Sequence, residues 1–230
     1  MITTNPVRAF LNIIKYPDLR LNNTGKNIYD NRIQIQGQGL EDFIKDSFAN
    51  TFDADENVKK EKYAKFFKYQ GSSNHPPDII LNNSDAVEIK KNKRVLSNIA
   101  LNSSWPRSKL YKNDSKIKKS VKKFVGDIGI DVLYIIGTIE KKTDIKRIFF
   151  IYGDCFVSDT NHYIADYKKI SNLIKNSISE LPYGSNEETN ELGRLNNIDL
   201  LQRTNLRIRG MYELISPSKA ICLKYNYQGI

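Results

Sequence analysis

The chain has 230 residues, 40% of them hydrophobic, which suits one sizeable domain with a real core and excludes global disorder. Lys and Arg total 36 against 26 for Asp and Glu, so the net charge is +10 and an anionic partner is expected. The longest apolar runs, such as Val132 to Ile139, are only strand-length, which excludes a bilayer-spanning helix and favours nucleic acid over membrane. The opening "MITTNPVRAFLNIIKYP" has helical apolar spacing and no cleavage motif, so no signal peptide is expected. Cys155 and Cys222 with His75 and His162 show no close ligand spacing, which argues against a structural zinc site. Cys155 lies in an apolar run and reads as a small core residue, and a reducing cytoplasm is the expected setting.

In chain order, residues 5–15 read as a helix, with Asn5 as cap, Pro6 in the first turn and Val7, Phe10, Leu11 and Ile14 as one stripe. Residues 18–36 are polar and Asn-rich, with "LNNTGKN" as a loop. A second helix starts near Gly37, with Leu40, Phe43, Ile44, Ser47 and Phe48 inward and Glu41 beside that face. The stretch "ENVKKEKYAKFFKYQG" extends this helical character. Then come two strands, Ile79–Leu81 and Ala86–Lys90, around the turn "NNSD". "NDSKIKKSVKKFVGDIG" reads as an amphipathic helix with Ile117, Val121, Phe124 and Val125 inward. Strands are expected at 131–139 and 147–157, a helix over the Ile164–Ile178 stripe, and a strand where Leu206 and Ile208 alternate with Arg207 and Arg209. The sum is one α/β domain with a central mixed β-sheet flanked by helices. Its expected parts are a helical region about 1–70, a catalytic α/β core about 71–180, and a DNA-contacting or dimerisation region about 181–230.

The stretch "HPPDIILNNSDAVEIKK" carries the chemistry. Side chains alternate along a strand, so Val87 and Ile89 share one face and Glu88 and Lys90 the other. Pro76 and Pro77 hold the approach extended, and the short turn brings Asp78 alongside Glu88. Two adjacent carboxylates repel unless a cation joins them. Mg2+ prefers oxygen ligands and commonly takes one or two carboxylates, with water and phosphate oxygens completing its shell. A neighbouring Lys90 ammonium then contacts the scissile phosphate and orients or deprotonates the attacking water. Glu41 offers a third carboxylate. The plainer reading of all three hairpin residues is a solvated edge hairpin.

The segments "PPD", "DAVEIKK", "IALNSSWPRSKL", "ELGRLNNID" and "LRIRGMY" together resemble the NgoPII-type family of type II restriction endonucleases. Within them, Pro77-Asp78 and Glu88-Ile89-Lys90 resemble the PD-(D/E)XK nuclease motif. The likeness runs from about Gly37 to Tyr212. It implies a PD-(D/E)XK restriction-endonuclease-like fold and Mg2+-dependent double-strand cleavage, with Mn2+ able to substitute. It also implies a homodimer acting on double-stranded DNA at a short G+C-containing palindrome, GGCC-like, leaving 5′-phosphate and 3′-hydroxyl ends. By the same resemblance Asp78 and Glu88 are metal ligands, Lys90 is the catalytic lysine, and Glu41 is an auxiliary acid. A prokaryotic cytoplasm and a functionally linked DNA methyltransferase follow from it too.

DNA contacts are expected from the loop after the catalytic strand, through Asn102, Ser103, Ser104, Trp105, Arg107 and Lys109, and from Lys91. The competing reading is a structural loop with Trp105 in the core. Lys116, Lys118, Lys119, Lys122 and Lys123 form a basic face, either solvated or on the DNA backbone. Arg194, Arg207 and Arg209 are expected to contact DNA or to bridge carboxylates within the protein. Two other functions remain open at this point: a structure- or damage-directed nuclease such as a junction resolvase or repair nickase, and a non-catalytic DNA-binding protein.

Overall fold

A computed structural model of the chain describes residues 3–21, 32–72, 75–82, 85–101, 104–141, 143–181, 184–186, 189 and 191–225. The N-terminal helix α1 (Pro6–Lys15) begins as expected, with the Asn5 side chain accepting from the Arg8 N–H at 2.9 Å. Its stripe does not face inward. Val7, Phe10, Leu11 and Ile14 are exposed, and α1 packs on α2 (Arg32–Ala49) through Ala9 and Ile13. The small Ala9 allows that close approach. α2 starts at Arg32, earlier than the start near Gly37 that was expected.

A third helix, α3 (Glu56–Phe66), follows, capped by Asp55. Buried Asp46 ties α2 to it, accepting from Lys59 Nζ at 2.6 Å and Tyr63 Oη at 2.8 Å. The chain then turns into strand, β1 (Phe67–Ser72), where helix was expected to continue. β1 lies antiparallel to β2 (His75–Leu81), and β2 to β3 (Ala86–Asn92). After the short strands β4 (Ile99–Leu101) and β5 (Lys109–Leu110) comes a single helical turn, α4 (Lys119–Lys122). The longer helix expected over 113–126 does not form. Lys118 is extended, and Asp114 turns its carboxylate to the Lys116 N–H and to Arg107 instead. Ile117, Val121 and Val125 are nonetheless buried as expected.

The two long strands are β6 (Ile130–Glu140) and β7 (Asp144–Tyr152), an antiparallel hairpin. β7 stops at Tyr152 rather than 157, because Gly153–Phe156 form the turn α5. Cys155 sits on that turn and is exposed, not a core residue. The helix α6 (Thr160–Ser179) buries Thr160, Ile164, Ser171 and Ile178. The tail holds β8 (Ser185–Asn186), β9 (Gly193–Asn196), β10 (Leu206–Ile208), β11 (Tyr212–Leu214) and α7 (Pro217–Tyr225).

The main sheet runs β1-β2-β3-β6-β5, with β7 also on β6. β3 and β6 are parallel, from Ala86↔Val132 to Asn92↔Thr138, and the other pairs are antiparallel, so the sheet is mixed as expected. Strand alternation splits the core into two. Val87, Ile89, Ile79, Leu133 and Ile135 meet Leu40, Phe43, Ile44 and Phe48 of α2 on one face. Ile80, Ala86, Val132, Tyr134 and Ile136 meet Leu110, Ile117, Val121 and Val125 on the other. Gly137 lets α2 lie close, since a Cβ there would come 2.8 Å from Leu40. No helix among the described residues is long and apolar enough to cross a membrane.

Candidate active site

The ladder between β2 and β3 covers Ile79↔Val87 and Ile80↔Ala86. One step further along both strands stand Asp78 and Glu88. There Asp78 Oδ2 accepts the Ile89 N–H at 2.5 Å, so a side chain takes over where the backbone ladder ends. Gly71 of β1 passes directly behind, and a Cβ on it would strike the backbone oxygens of Pro77 and Asp78. The peptide bond Pro76–Pro77 is cis. Asp78 is therefore held by backbone on both sides.

Glu88 and Lys90 project together, as the alternation required, and Lys90 Nζ lies 2.5 Å from Glu88 Oε1. Both are mostly covered, Glu88 13% and Lys90 25% exposed. Burial, reinforced by the Glu88 charge, pushes the Asp78 carboxyl up to about 7. Burial alone pulls the Lys90 ammonium down. The attraction of Glu88 and Asp78 outweighs it and holds Lys90 above the ordinary lysine value. The contact with Glu88 thus favours the ammonium form of Lys90. Glu41 on α2 pairs with Lys45 at 2.6 Å, and its charge reaches Asp78.

Among the described residues, no group of three or more His, Cys, Asp and Glu side chains forms a ready-made metal cage. The donor chemistry of Asp78 and Glu88 still fits a hard divalent cation. Two carboxylates with one oxygen-rich open side are what Mg2+ uses when water and phosphate complete its shell. The raised pKa of Asp78 is the cost of a buried carboxylate that a second positive charge would offset.

Tyr134 is the residue that sequence reasoning missed. It pairs across the parallel ladder with Glu88, and burial with the Glu88 charge raises its phenol above the ordinary value. Its Oη accepts the Arg107 N–H at 2.7 Å, which joins the loop after β4 to the floor of the site. A signal existed, since Tyr134 is the one polar side chain in the run Val132–Gly137.

That loop does not present its charges outward. Trp105 and Arg107, expected at DNA, are 3% and 4% exposed. Arg107 Nε donates to Asp114 Oδ2 at 2.8 Å and Trp105 Nε1 to the same oxygen at 3.2 Å. A buried carboxylate with zero exposure demands such partners, which is why these side chains turn inward. Arg107 Nη2 is buried without a hydrogen-bond partner among the described residues. Ser104 accepts from Arg107 Nη1 at 2.6 Å. Lys109 pairs with Asp131 on the surface at 2.6 Å. Asn102 and Ser103 lie outside the described residues. Lys91 points to the α2 side, opposite Lys90, and donates to Gln36 at 2.5 Å. In the basic stretch, Lys116 packs over Tyr167, 4.9 Å from the ring centroid, and burial lowers its pKa.

The C-terminal arginines meet a carboxylate, one of the two outcomes expected. Arg207 and Arg209 both donate to Glu191, and Arg194 donates to Asn196 at 2.9 Å.

Comparison with known proteins shows the family. The profile of the NgoPII restriction endonuclease family matches residues 4–229. A type II restriction enzyme NgoPII from Neisseria gonorrhoeae is 36% identical over 213 residues, covering 93% of this chain and 74% of that protein. No solved structure matches the chain.

Proposed function

Because the chain belongs to the NgoPII restriction endonuclease family, and is by that membership a site-specific endonuclease, we propose that Asp78, Glu88 and Lys90 form its active centre on a PD-(D/E)XK-like core. The observation that carries this reading is the convergence itself. Lys90 Nζ sits 2.5 Å from Glu88 Oε1, beside a carboxylate whose pKa is raised to about 7.

Asp78 and Glu88 would hold Mg2+ or Mn2+. The ion, when bound, supplies Lewis-acid charge at the phosphate and a water of lowered pKa. Lys90 donates a hydrogen bond to a non-bridging oxygen of the scissile phosphate and stabilises charge as it develops there. Its contact with Glu88 keeps it protonated until DNA arrives. Tyr134 sits beneath and fixes the β3–β6 spacing under Glu88. Glu41, held by Lys45, adds negative potential on the Asp78 side. Water attacks phosphorus in line and loses its proton to solvent, and the P–O3′ bond breaks with the 3′ oxygen taking up a proton from solvent, giving 5′-phosphate and 3′-hydroxyl ends. A homodimer with two-fold symmetry would match a short G+C-containing palindrome, GGCC-like, in the DNA of a prokaryotic cytoplasm where a methyltransferase protects the host.

The test is digestion of one plasmid of known sequence with Mg2+, with the ends mapped. Discrete fragments that all end at one palindrome support the reading. Preferential cutting of a four-way junction over linear duplex would replace it with a resolvase, and undiminished cutting by Asp78→Ala and Lys90→Ala would move the centre elsewhere.

A further inference from the structure

We propose that the β9–β10 ribbon is a second contact surface for duplex DNA, an anion-binding face whose guanidinium forks are held ready by Glu191. This inference rests on the nuclease reading and adds a surface outside the Asp78–Glu88–Lys90 centre, together with a residue, Glu191, that organises it.

β9 and β10 pair antiparallel with Arg194 directly opposite Arg207. Glu191 is the carboxylate that Arg207 and Arg209 share. Its Oε2 accepts from Arg207 Nε at 2.9 Å, and its Oε1 from Arg207 Nη2 and Arg209 Nε, both at 2.7 Å. One carboxylate thus serves the two guanidinium groups of Arg207 and Arg209, one negative charge against two positive. The layering shows which side is open. Glu191 is 16% exposed, whereas Arg207 and Arg209 are 50% and 53% exposed. The carboxylate lies inside and the forks outside, with their outer N–H groups toward solvent. Arg forks in this arrangement match phosphate oxygens, and the inner carboxylate removes the disorder that a free arginine would lose on binding.

The ribbon is tied to the active centre by two routes. Three residues after Arg209, β11 pairs with β4, the strand that directly follows the catalytic strand β3. Lys116, which feels the Glu191 charge, packs over Trp105 at 5.6 Å; Trp105 shares Asp114 with Arg107, and Arg107 reaches Tyr134 beneath Glu88. A rigid connection of this kind suits a polyanion that spans both places. An extended row of half-exposed cations on a small sheet fits a DNA backbone better than a compact anion, and the net charge of +10 is of the sign required.

The full chain is titrated with a labelled duplex of about 30 base pairs in EDTA, over a series of salt concentrations. Arg207→Ala and Arg209→Ala are each expected to weaken binding roughly tenfold and to reduce the salt slope by about one, on any sequence. Glu191→Gln removes the competing charge but keeps an amide oxygen that can still accept from the forks, so it is expected to steepen the slope, whereas Glu191→Ala frees the forks and is expected to bind more weakly than Glu191→Gln; equal affinity of the two would remove the organising role of Glu191. Arg207→Lys keeps the charge and should restore the slope while recovering only part of the affinity. Melting temperatures of all variants separate binding from folding. Unchanged slope and affinity in the folded arginine variants, with wild type binding and cutting DNA, would overturn the ribbon proposal alone. A wild type that neither binds nor cuts duplex DNA would instead remove the nuclease reading beneath it.

Discussion

The hairpin at 75–91 and the loop at 98–111 are both polar, both charged, and adjacent in sequence, yet they use their charges in opposite directions. In the hairpin, Glu88 and Lys90 leave the core together, and Asp78 joins them across two strands. In the loop, Arg107 and Trp105 enter the core to meet Asp114. The difference is phase. A strand fixes the direction of every second side chain, so burying Val87 and Ile89 presents Glu88 and Lys90 on the other side. The loop has no period, and direction there is set by a distant partner, seven residues further on.

The sharpest test of that contrast lies within two consecutive lysines. Lys90→Ala removes the ammonium from the carboxylate face and should slow cleavage about a thousandfold, roughly 4 kcal/mol of transition-state stabilisation. Lys91→Ala removes a side chain bonded to Gln36 on the α2 side and should slow it less than about fivefold. Single-turnover cleavage measures both. Equal losses would show that strand phase does not govern the site.

The loop should respond in stability. Arg107→Ala leaves the Asp114 carboxylate buried without its cation, which costs about 3–5 kcal/mol, read as a large fall in the midpoint of urea unfolding. Replacing both, with Arg107→Met and Asp114→Leu, should recover much of that loss. An Arg107→Ala protein of wild-type stability that has lost DNA binding would return Arg107 to the DNA surface.

Asp78 gives the hairpin a pH signature with a definite sign. Its carboxyl rises on folding from 3.8 to about 7. Between those values the unfolded chain has released its proton while the folded chain has kept it. Stability therefore falls as pH rises through that window and stays lowered above it. Asp78→Asn removes the penalty and can still accept the Ile89 N–H. In EDTA at pH 8 it should be more stable than wild type, on the order of 2 kcal/mol, and near pH 4 the two should converge. Thermal melts at the two pH values decide it.

What could be read from sequence follows the same division. The mixed sheet and the inner face of α2 were legible because each rests on a period, 3.6 for Leu40–Phe48 and 2 for Ala86–Lys90, and the strand period also brings Glu88 and Lys90 to one side as expected. The inward turn of Arg107 and the loss of helix before Lys119 were not, and for Trp105, Arg207 and Arg209 the sequence offered an internal position beside DNA contact without naming the partner. Each is decided by one long-range partner, and nothing local names Asp114 or Glu191 as that partner. α1 failed for a related reason. Its strongest stripe is real, but Ala9 is the residue small enough to touch α2.

The smallest expected effect concerns Lys109, the one described charge of the loop that stays on the surface. Its pairing with Asp131 leaves the two side chains 38% and 48% exposed, and such pairs contribute about 0.5 kcal/mol or less. Lys109→Ala should therefore leave the unfolding midpoint almost unchanged, in contrast to Arg107→Ala two positions earlier. If DNA passes over this loop, the same variant should still lower the salt slope of binding by about one, because the ion pair yields its lysine to a phosphate. A stability loss near that of Arg107→Ala would place Lys109 in the buried network. An unchanged salt slope would leave the loop a purely structural bracket, with DNA contact confined to other surfaces.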